Sequence, residues 1–498
     1  MQKFMSKEGE KTMKTANTLI IFCDQHNAKV TGCYGNKVVK TPNIDRLAAR
    51  GTLFQNAYTS NPICVPARAS FATGEYSSEH GYWDNCHAFA GEIPSWGSRL
   101  KEAGVSVTTI GKLHYKDDSE KTFPGQRIPM NVTNGLGDPL TAIRTLKGIS
   151  SNVSINQIKT AGVGEADYVK YDRRVVAEAV RYLKNEAAES STPWCLFVGF
   201  TTPHNPYLVP KEYMEQYQPY SQFEVAEEWH DDSKLHPVMR QYRHKKRLDE
   251  GLLSDEEIQN AIAAYYGMVS FMDDMTGKVL DALKEAGLEE NTRVIYLDDH
   301  GDCAGAHGLF FKGNMYEESV RIPLIAAGPD IEKGAVVDTP VSIVDVYPTL
   351  LDFYQLKPDE REQKLPGVSL KKVMDKKADK DRSVYSEYFS VGYEHSVFMI
   401  RKGKYKLVYF VGSKECQLFD LEGDPDEKRD LGRISEYADK VAELKKELLK
   451  IADPEKLDEA SLRAQADMAE QRGGIEKILS DRKGKGVVPF TPVPEGII

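Results

Sequence analysis

Four short apolar runs, each rich in β-branched or aromatic residues, stop abruptly at polar clusters. Thr18-Leu-Ile-Ile-Phe-Cys23 meets Asp24-Gln25-His26, and Val105-Ser-Val-Thr-Thr-Ile110 meets Gly111-Lys112-Leu-His114. Trp194-Cys-Leu-Phe-Val-Gly-Phe200 meets Thr201-Thr-Pro-His204, and Arg293-Val-Ile-Tyr-Leu297 meets Asp298-Asp299-His300-Gly301-Asp302. Runs of this length predict strands, and near-continuous apolarity predicts that both faces are covered, as in parallel sheets. Helical patterns lie between them. Ile44, Leu47 and Ala48 share one face of 42–50, with Gly51 placed as its stop, and longer amphipathic stretches run over 169–188 and 256–286. The alternation predicts an α/β fold, a large mixed, mostly parallel sheet sandwiched by helices. In such sheets ligands sit beyond the carboxyl ends of the strands, where all four polar clusters would converge.

The texture changes after residue 375. A charged link, Lys376-Lys-Ala-Asp-Lys-Asp-Arg382, precedes three short runs at 396–401, 405–410 and 417–421, with turns at Gly403 and Gly412. These predict a short antiparallel sheet, followed by helix over 436–451 and 457–479. The expected organisation is a disordered or loosely packed tail over 1–16, a large α/β domain over 17–375, and a smaller C-terminal α+β domain over 376–498. The extended tail from Gly484 either covers a neighbouring subunit, making a homo-oligomer, or lies on its own chain.

Composition narrows the function classes. The 498 residues allow about two or three units, and no apolar run approaches the roughly 18 residues that cross a bilayer, so no membrane partner is expected. With 65 Lys and Arg against 75 Asp and Glu, the formal charge of -10 disfavours nucleic acid, whose ligands usually carry a basic surplus. One basic run, Arg240 to Arg247, is flanked by Glu227, Glu228, Asp231, Asp232, Asp249 and Glu250. It reads as a solvated helix face, with anion binding as the second reading. The first residues lack the apolar stretch of a signal peptide, and the seven cysteines are odd in number and scattered; both predict a cytoplasmic protein without a disulfide framework.

One cysteine differs from the others. In Cys64-Val-Pro66-Ala-Arg68 followed by Gly74, Pro66 suits a first helical turn and Gly74 a C-terminal stop, which puts Cys64 at a helix N-terminus, where exposed amides favour an anion. Arg68 lies one turn on, along the same face. This pattern resembles the signature of type I sulfatases, in the alkaline phosphatase superfamily. The resemblance continues in family order through Asn17 to Asp24, Thr41-Pro-Asn-Ile-Asp-Arg-Leu, Gly111-Lys112-x-His114, Thr202-Pro-His204, Asp299-His300-Gly301-Asp302, His307-Gly-Leu-x-x-Lys312 and Ser342 to Leu350, and then at Cys416 to Glu427. Three positions depart from the common pattern: Gln25 stands where many members have Asp, Ala67 replaces Ser, and Asp298 replaces Ser or Thr. The Asp-Gln pair and Asp-His-Gly-Asp look more like the branch with choline sulfatases and phosphonate monoester hydrolases.

The resemblance implies that Cys64 is converted to formylglycine (3-oxoalanine) by a formylglycine-generating maturation enzyme. It also implies one divalent cation at Asp24, Gln25, Cys64, Asp299 and His300; the oxygen donors suit Ca2+ first, then Mg2+ or Mn2+. The hydrated aldehyde, a geminal diol, would attack sulfur and later expel sulfate. Arg68 and Lys112 would neutralise the nucleophile and sulfate oxygens, and His114 would serve as base. Lys312 and His204 would face the leaving oxygen, one as general acid. Asn85 reads equally as a substrate-side amide or a turn residue. The implied activity is hydrolysis of a sulfate monoester, on a small molecule or oligosaccharide. The alternative is a phosphonate monoester or phosphodiester hydrolase using the same groups.

Overall fold

The computed structural model describes residues 16–145, 153–249, 251–375, 379–482 and 491–498. The expected tail up to residue 15, part of the charged link at 376–378, and residues 483–490 of the extended segment lie outside the described residues.

Eight strands form the main sheet: β1 (Asn17–Asp24), β2 (Gly51–Phe54), β3 (Ser106–Lys112), β4 (Gln126–Met130), β5 (Trp194–Pro203), β6 (Thr292–Asp298), β7 (Leu324–Ala327) and β8 (Ala335–Val337). Their order is β8-β2-β7-β6-β1-β5-β3-β4. The pairings of β1 with β5 and β6, and of β3 with β4 and β5, are parallel; β7 runs antiparallel to both its neighbours. The sheet is therefore mixed and mostly parallel.

The apolar runs follow from this placement. Every residue of β1 is buried. Leu19 and Ile21 enter one apolar cluster with Val169, Val175 and Phe271, whereas Ile20 and Phe22 enter another with Phe71, Phe197 and Leu297. A strand with a core on each face has no polar side to alternate with. Helices α3 (Asp167–Tyr182) and α5 (Asp255–Glu285) supply the first cluster; α2 (Cys64–Thr73) supplies the second.

α1 (Pro42–Ala49) ends at Arg50, and Gly51 opens β2 instead of stopping the helix. A side chain on Gly51 would come within 2.2 Å of the Ala326 carbonyl on the neighbouring strand, so glycine there serves close strand approach. Gly74, by contrast, does end α2, in the left-handed conformation with φ 76.

A four-stranded antiparallel sheet comprises β9 (Val384–Tyr388), β10 (Val397–Lys402), β11 (Tyr405–Phe410) and β12 (Gln417–Asp420), in that order. Tyr385, Phe398, Ile400, Leu407 and Leu418 join the apolar cluster that holds Ile20 and Phe22, so this sheet docks on the same core. Helical sequence over 457–479 divides into α6 (Pro454–Gln471) and α7 (Ile475–Arg482) at Gly473 and Gly474, both with φ 88. None of the described helices is long and apolar enough to cross a membrane.

Candidate active site

Strands β1, β3, β5 and β6 deliver Asp24, Lys112, His204 and Asp299 to one end of the sheet, and the N-terminus of α2 points Cys64 at the same place. Asp24 ends β1, and Gln25 follows with φ 75, its N–H donating to Asp299 Oδ1 at 3.2 Å and its carbonyl accepting from Tyr265 OH at 2.7 Å. These bonds hold a glutamine in a left-handed conformation that ordinarily favours glycine. Cys64 Sγ lies 3.7 Å from Asp24 Oδ1, 3.2 Å from His300 Nε2 and 3.3 Å from Lys312 Nζ.

Arg68 sits beneath the carboxylates. Its Nε donates to Asp299 Oδ2 at 2.7 Å and its Nη2 to Asp24 Oδ2 at 3.1 Å, while the Lys112 and Cys23 carbonyls accept its remaining bonds at 3.0 Å. The guanidinium is thus engaged with the carboxylates and main chain. Lys112 Nζ reaches Asp24 Oδ2 at 2.6 Å. Burial raises the Asp24 carboxyl, but Lys112 first, then His204, Arg68 and Lys312 outweigh it and hold it well below the usual carboxylate range. Asp298 shows the opposite balance: burial, then Asp299, pushes it well above that range.

The cysteine thiol is a poor nucleophile as it stands. Burial, then the Asp24 charge, pushes it up to about 12. Its sulfur occupies the place where the oxygens of a formylglycine would stand.

Two imidazoles have their tautomers set by carbonyls. The Gly301 carbonyl lies 3.1 Å from His300 Nδ1, so Nδ1 carries the proton and the Nε2 lone pair faces Cys64. The Asn205 carbonyl lies 2.6 Å from His204 Nδ1, which leaves the Nε2 lone pair turned toward Asp24, 4.0 Å away. Burial lowers both rings, His300 to about 4 and His204 well below its ordinary value, with Lys312 the next cause for His204.

The donor atoms of Asp24, Cys64, Asp299 and His300 all lie within 4.8 Å of one another. Gln25 directs its amide oxygen to the Lys312 ammonium, and its amide nitrogen donates to Asn205 Oδ1 at 3.1 Å and to Asp302. Two buried carboxylates and an imidazole lone pair meeting beside the Cys64 sulfur fit a divalent cation, with the Gln25 amide oxygen nearby on the Lys312 ammonium.

Cys64, Asn85, Lys112, His114, His204 and Lys312 line one cavity of about 530 Å³. His114, at φ 63, has its Nε2 2.6 Å from Thr491 Oγ1, and burial followed by Lys112 lowers it well below its ordinary value. Asn85 also accepts the Val65 N–H at 3.1 Å, tying it to the first turn of α2.

Several residues at the site had no sequence reading. Asn205 and Asp302 hold Gln25; Asp302 ends the quoted Asp299-His300-Gly301-Asp302 run and Asn205 follows Thr202-Pro-His204, which is the signal that could have given them roles. Asp172 accepts the N–H and hydroxyl groups of Thr201 and Thr202 at 2.6 to 2.9 Å and fixes the end of β5. Thr491, Tyr388 and Arg472 reach the cavity from the far C-terminal part, where no local pattern marks them.

The sequence profile described as "Sulfatase" matches residues 16–356, and that of the "N-sulphoglucosamine sulphohydrolase, C-terminal" region matches 305–454. The chain is 31% identical over 427 residues to the choline-sulfatase of Rhizobium meliloti, covering 82% of this chain and 81% of that protein. It is 31% identical over 434 residues to arylsulfatase K of Bos taurus, covering 82% and 77%. A structure solved in complex with its substrate D-glucosamine-2-N,6-O-disulfate superposes with a TM-score of 0.71 at 22% identity, over 90% of this chain and 98% of that one. The phosphonate monoester hydrolase of Agrobacterium radiobacter gives 0.68 at 22% identity, over 90% and 96%. At these identities the two structures establish the α/β fold.

Proposed function

The chain belongs to the sulfatase family and is a sulfuric ester hydrolase; from that premise we propose that it cleaves a sulfate monoester of a sugar or other small alcohol, with Cys64 matured to formylglycine. The observation that carries this reading is the meeting of Cys64 with Asp24, Asp299, His300 and Lys312 at the floor of one cavity. The sugar is supported by the neighbour solved with a sulfated glucosamine. The cytoplasm as its place is supported by seven unpaired thiols.

Asp24, Gln25, Asp299 and His300 would hold the divalent cation, Ca2+ before Mg2+ or Mn2+ on donor type. When bound, the ion and the hydrated aldehyde together supply a nucleophilic hydroxyl at neutral pH and counter-charge for the sulfate.

The protein's own groups do the rest. Lys112 and Lys312 place two ammonium charges around Cys64, offsetting the repulsion between an anionic ester and an oxygen nucleophile. Arg68 acts from behind, fixing both carboxylates. His204 presents a lone pair at Nε2, which makes it an acceptor, so of the two groups facing the leaving oxygen Lys312 is the proton donor. His114 lines the same cavity and would take the proton of the second hydroxyl. We place the chemistry in 17–375, with 376–498 completing the cavity wall through Tyr388, Arg472 and Thr491.

The test pairs mass spectrometry of the Cys64 peptide with rates on an aryl sulfate and an aryl phosphonate. The expected result is a peptide lighter by the change from thiol to aldehyde, in protein that prefers the sulfate. Full activity with an intact thiol rejects the formylglycine. Faster cleavage of the phosphonate selects the second reading, a phosphonate monoester or phosphodiester hydrolase using the same groups.

A further inference from the structure

The basic run at 240–247 is not solvated throughout. It forms the end of α4 (Pro237–Lys246), and Lys245 and Lys246 line the cavity that holds Cys64. Tyr242 of this helix donates its hydroxyl to the Lys312 carbonyl at 2.7 Å, and the Lys246 ammonium lies 5.5 Å from the centre of the Tyr242 ring. The helix therefore brings Lys246 to the neighbourhood of Lys312, the ammonium that reaches Cys64.

The neighbouring charges differ in how they are neutralised. Lys245 pairs with Glu394 at 3.6 Å. Among the described residues, no carboxylate pairs with Lys246. Burial, then Lys312, lowers its ammonium to about 8. Arg472 donates to the carbonyls of Gly137 and Leu136, which carry no charge. Asp138 is the one acid among the described lining residues, and its Oδ1 already accepts the Leu140 N–H at 3.1 Å. In a chain with a formal charge of -10, the described residues lining this cavity carry more cations than acids, with Lys246 and Arg472 among the cations.

Like charges gathered in a partly buried wall cost free energy unless an anion enters between them. We propose that Lys246 and Arg472 form a second oxyanion subsite, so that the alcohol released from the ester carries a further anionic group, a sulfate or a carboxylate. This rests on the sulfatase reading for the word substrate, but the subsite itself is a binding property of the folded chain. Lys246 confers preference by position: its ammonium lies over the Tyr242 ring in a side chain that lines the cavity.

The experiment is calorimetric titration of wild-type protein with benzenesulfonate, benzene-1,3-disulfonate and 3-sulfobenzoate, none of which can be hydrolysed as an ester. The expected result is that one or both dianions bind about tenfold or more tighter than benzenesulfonate. Disulfonate in front indicates a second sulfate; sulfobenzoate in front indicates a carboxylate. In Lys246→Gln the advantage falls below about threefold, while Lys246→Arg, which keeps the charge, retains it. Equal affinity for one and two charges in the wild type overturns the proposal, as does an undiminished advantage in a folded Lys246→Gln protein. Turnover of 4-nitrophenyl sulfate is read separately: its absence counts against the sulfatase chemistry, while the binding ratio still decides the subsite.

Discussion

Among the described residues, two buried clusters bring metal-type donors together, and only one of them opens onto a cavity. The first is Asp24, Cys64, Asp299 and His300; the second is His307, Glu318 and Glu427. In the second, Lys29 Nζ holds Glu318 Oε1 at 2.7 Å, His307 Nε2 lies 3.1 Å from Glu318 Oε2, and Lys406 bridges Glu317 and Glu427. Burial lowers the His307 ring, but Glu318 outweighs it and raises the net value, so these carboxylates favour the charged form of the imidazole. None of these residues lines the cavity. They join the segment around 317 to β11 and to the loop after β12, and the charges are satisfied among themselves. The first cluster is paired from beneath by Arg68, but Lys112, Lys312 and Cys64 leave its upper side facing open space. Pairing of buried charge is therefore common to a clamp and a site; what separates them is whether the cluster adjoins a space that a ligand can enter.

The largest effect that would sharpen the contrast is on turnover. Cys64→Ala should lower turnover of an aryl sulfate by about 10⁴-fold or more, as for loss of a covalent nucleophile, with the thermal midpoint little changed. Retained turnover would remove the site from the comparison. Next, Lys406→Met should lower stability by about 3–5 kcal/mol, because Glu317 and Glu427 are left buried without their cation. Urea titration followed by circular dichroism measures this, and an unshifted midpoint would show that the second cluster is no clamp. Smaller again is the response to metal. A divalent cation at about 100 times its dissociation constant should stabilise the fold by about 2.7 kcal/mol. Asp299→Asn should abolish that shift in a melting experiment and Glu427→Gln should retain it, while chelation should remove turnover. The reverse pattern would exchange the roles of the two clusters.

Much of the fold was legible because the four central strands are short apolar runs with abrupt polar ends, and the abrupt ends are where the sheet edge meets the cavity. β9 went unread since Val384-Tyr-Ser-Glu-Tyr388 sets two polar residues side by side in mid-strand yet is buried throughout, with Glu387 held by Tyr385 OH and the Ser78 N–H. Gly51 was misread as a helix stop because a glycine after a helix is usually a left-handed cap, and only the neighbouring strand reveals the close approach. At the site, Cys64 and Arg68 could be placed from helix geometry alone. That Arg68 would bind Asp299 and Asp24 rather than face the cavity could not, because the choice among acceptors depends on three strands meeting at one point.

By itself the sequence determined where strands end, where the Cys64 helix begins and which residue types crowd those positions, because these follow from periodicity and from turn chemistry within a few residues. Tertiary structure alone decided that Thr491 meets His114, that Lys246 stands near Lys312, and that one acidic cluster is closed while the other is open. Those outcomes depend on distances of a few ångströms between segments far apart in the chain, and such distances are set by how the layers pack.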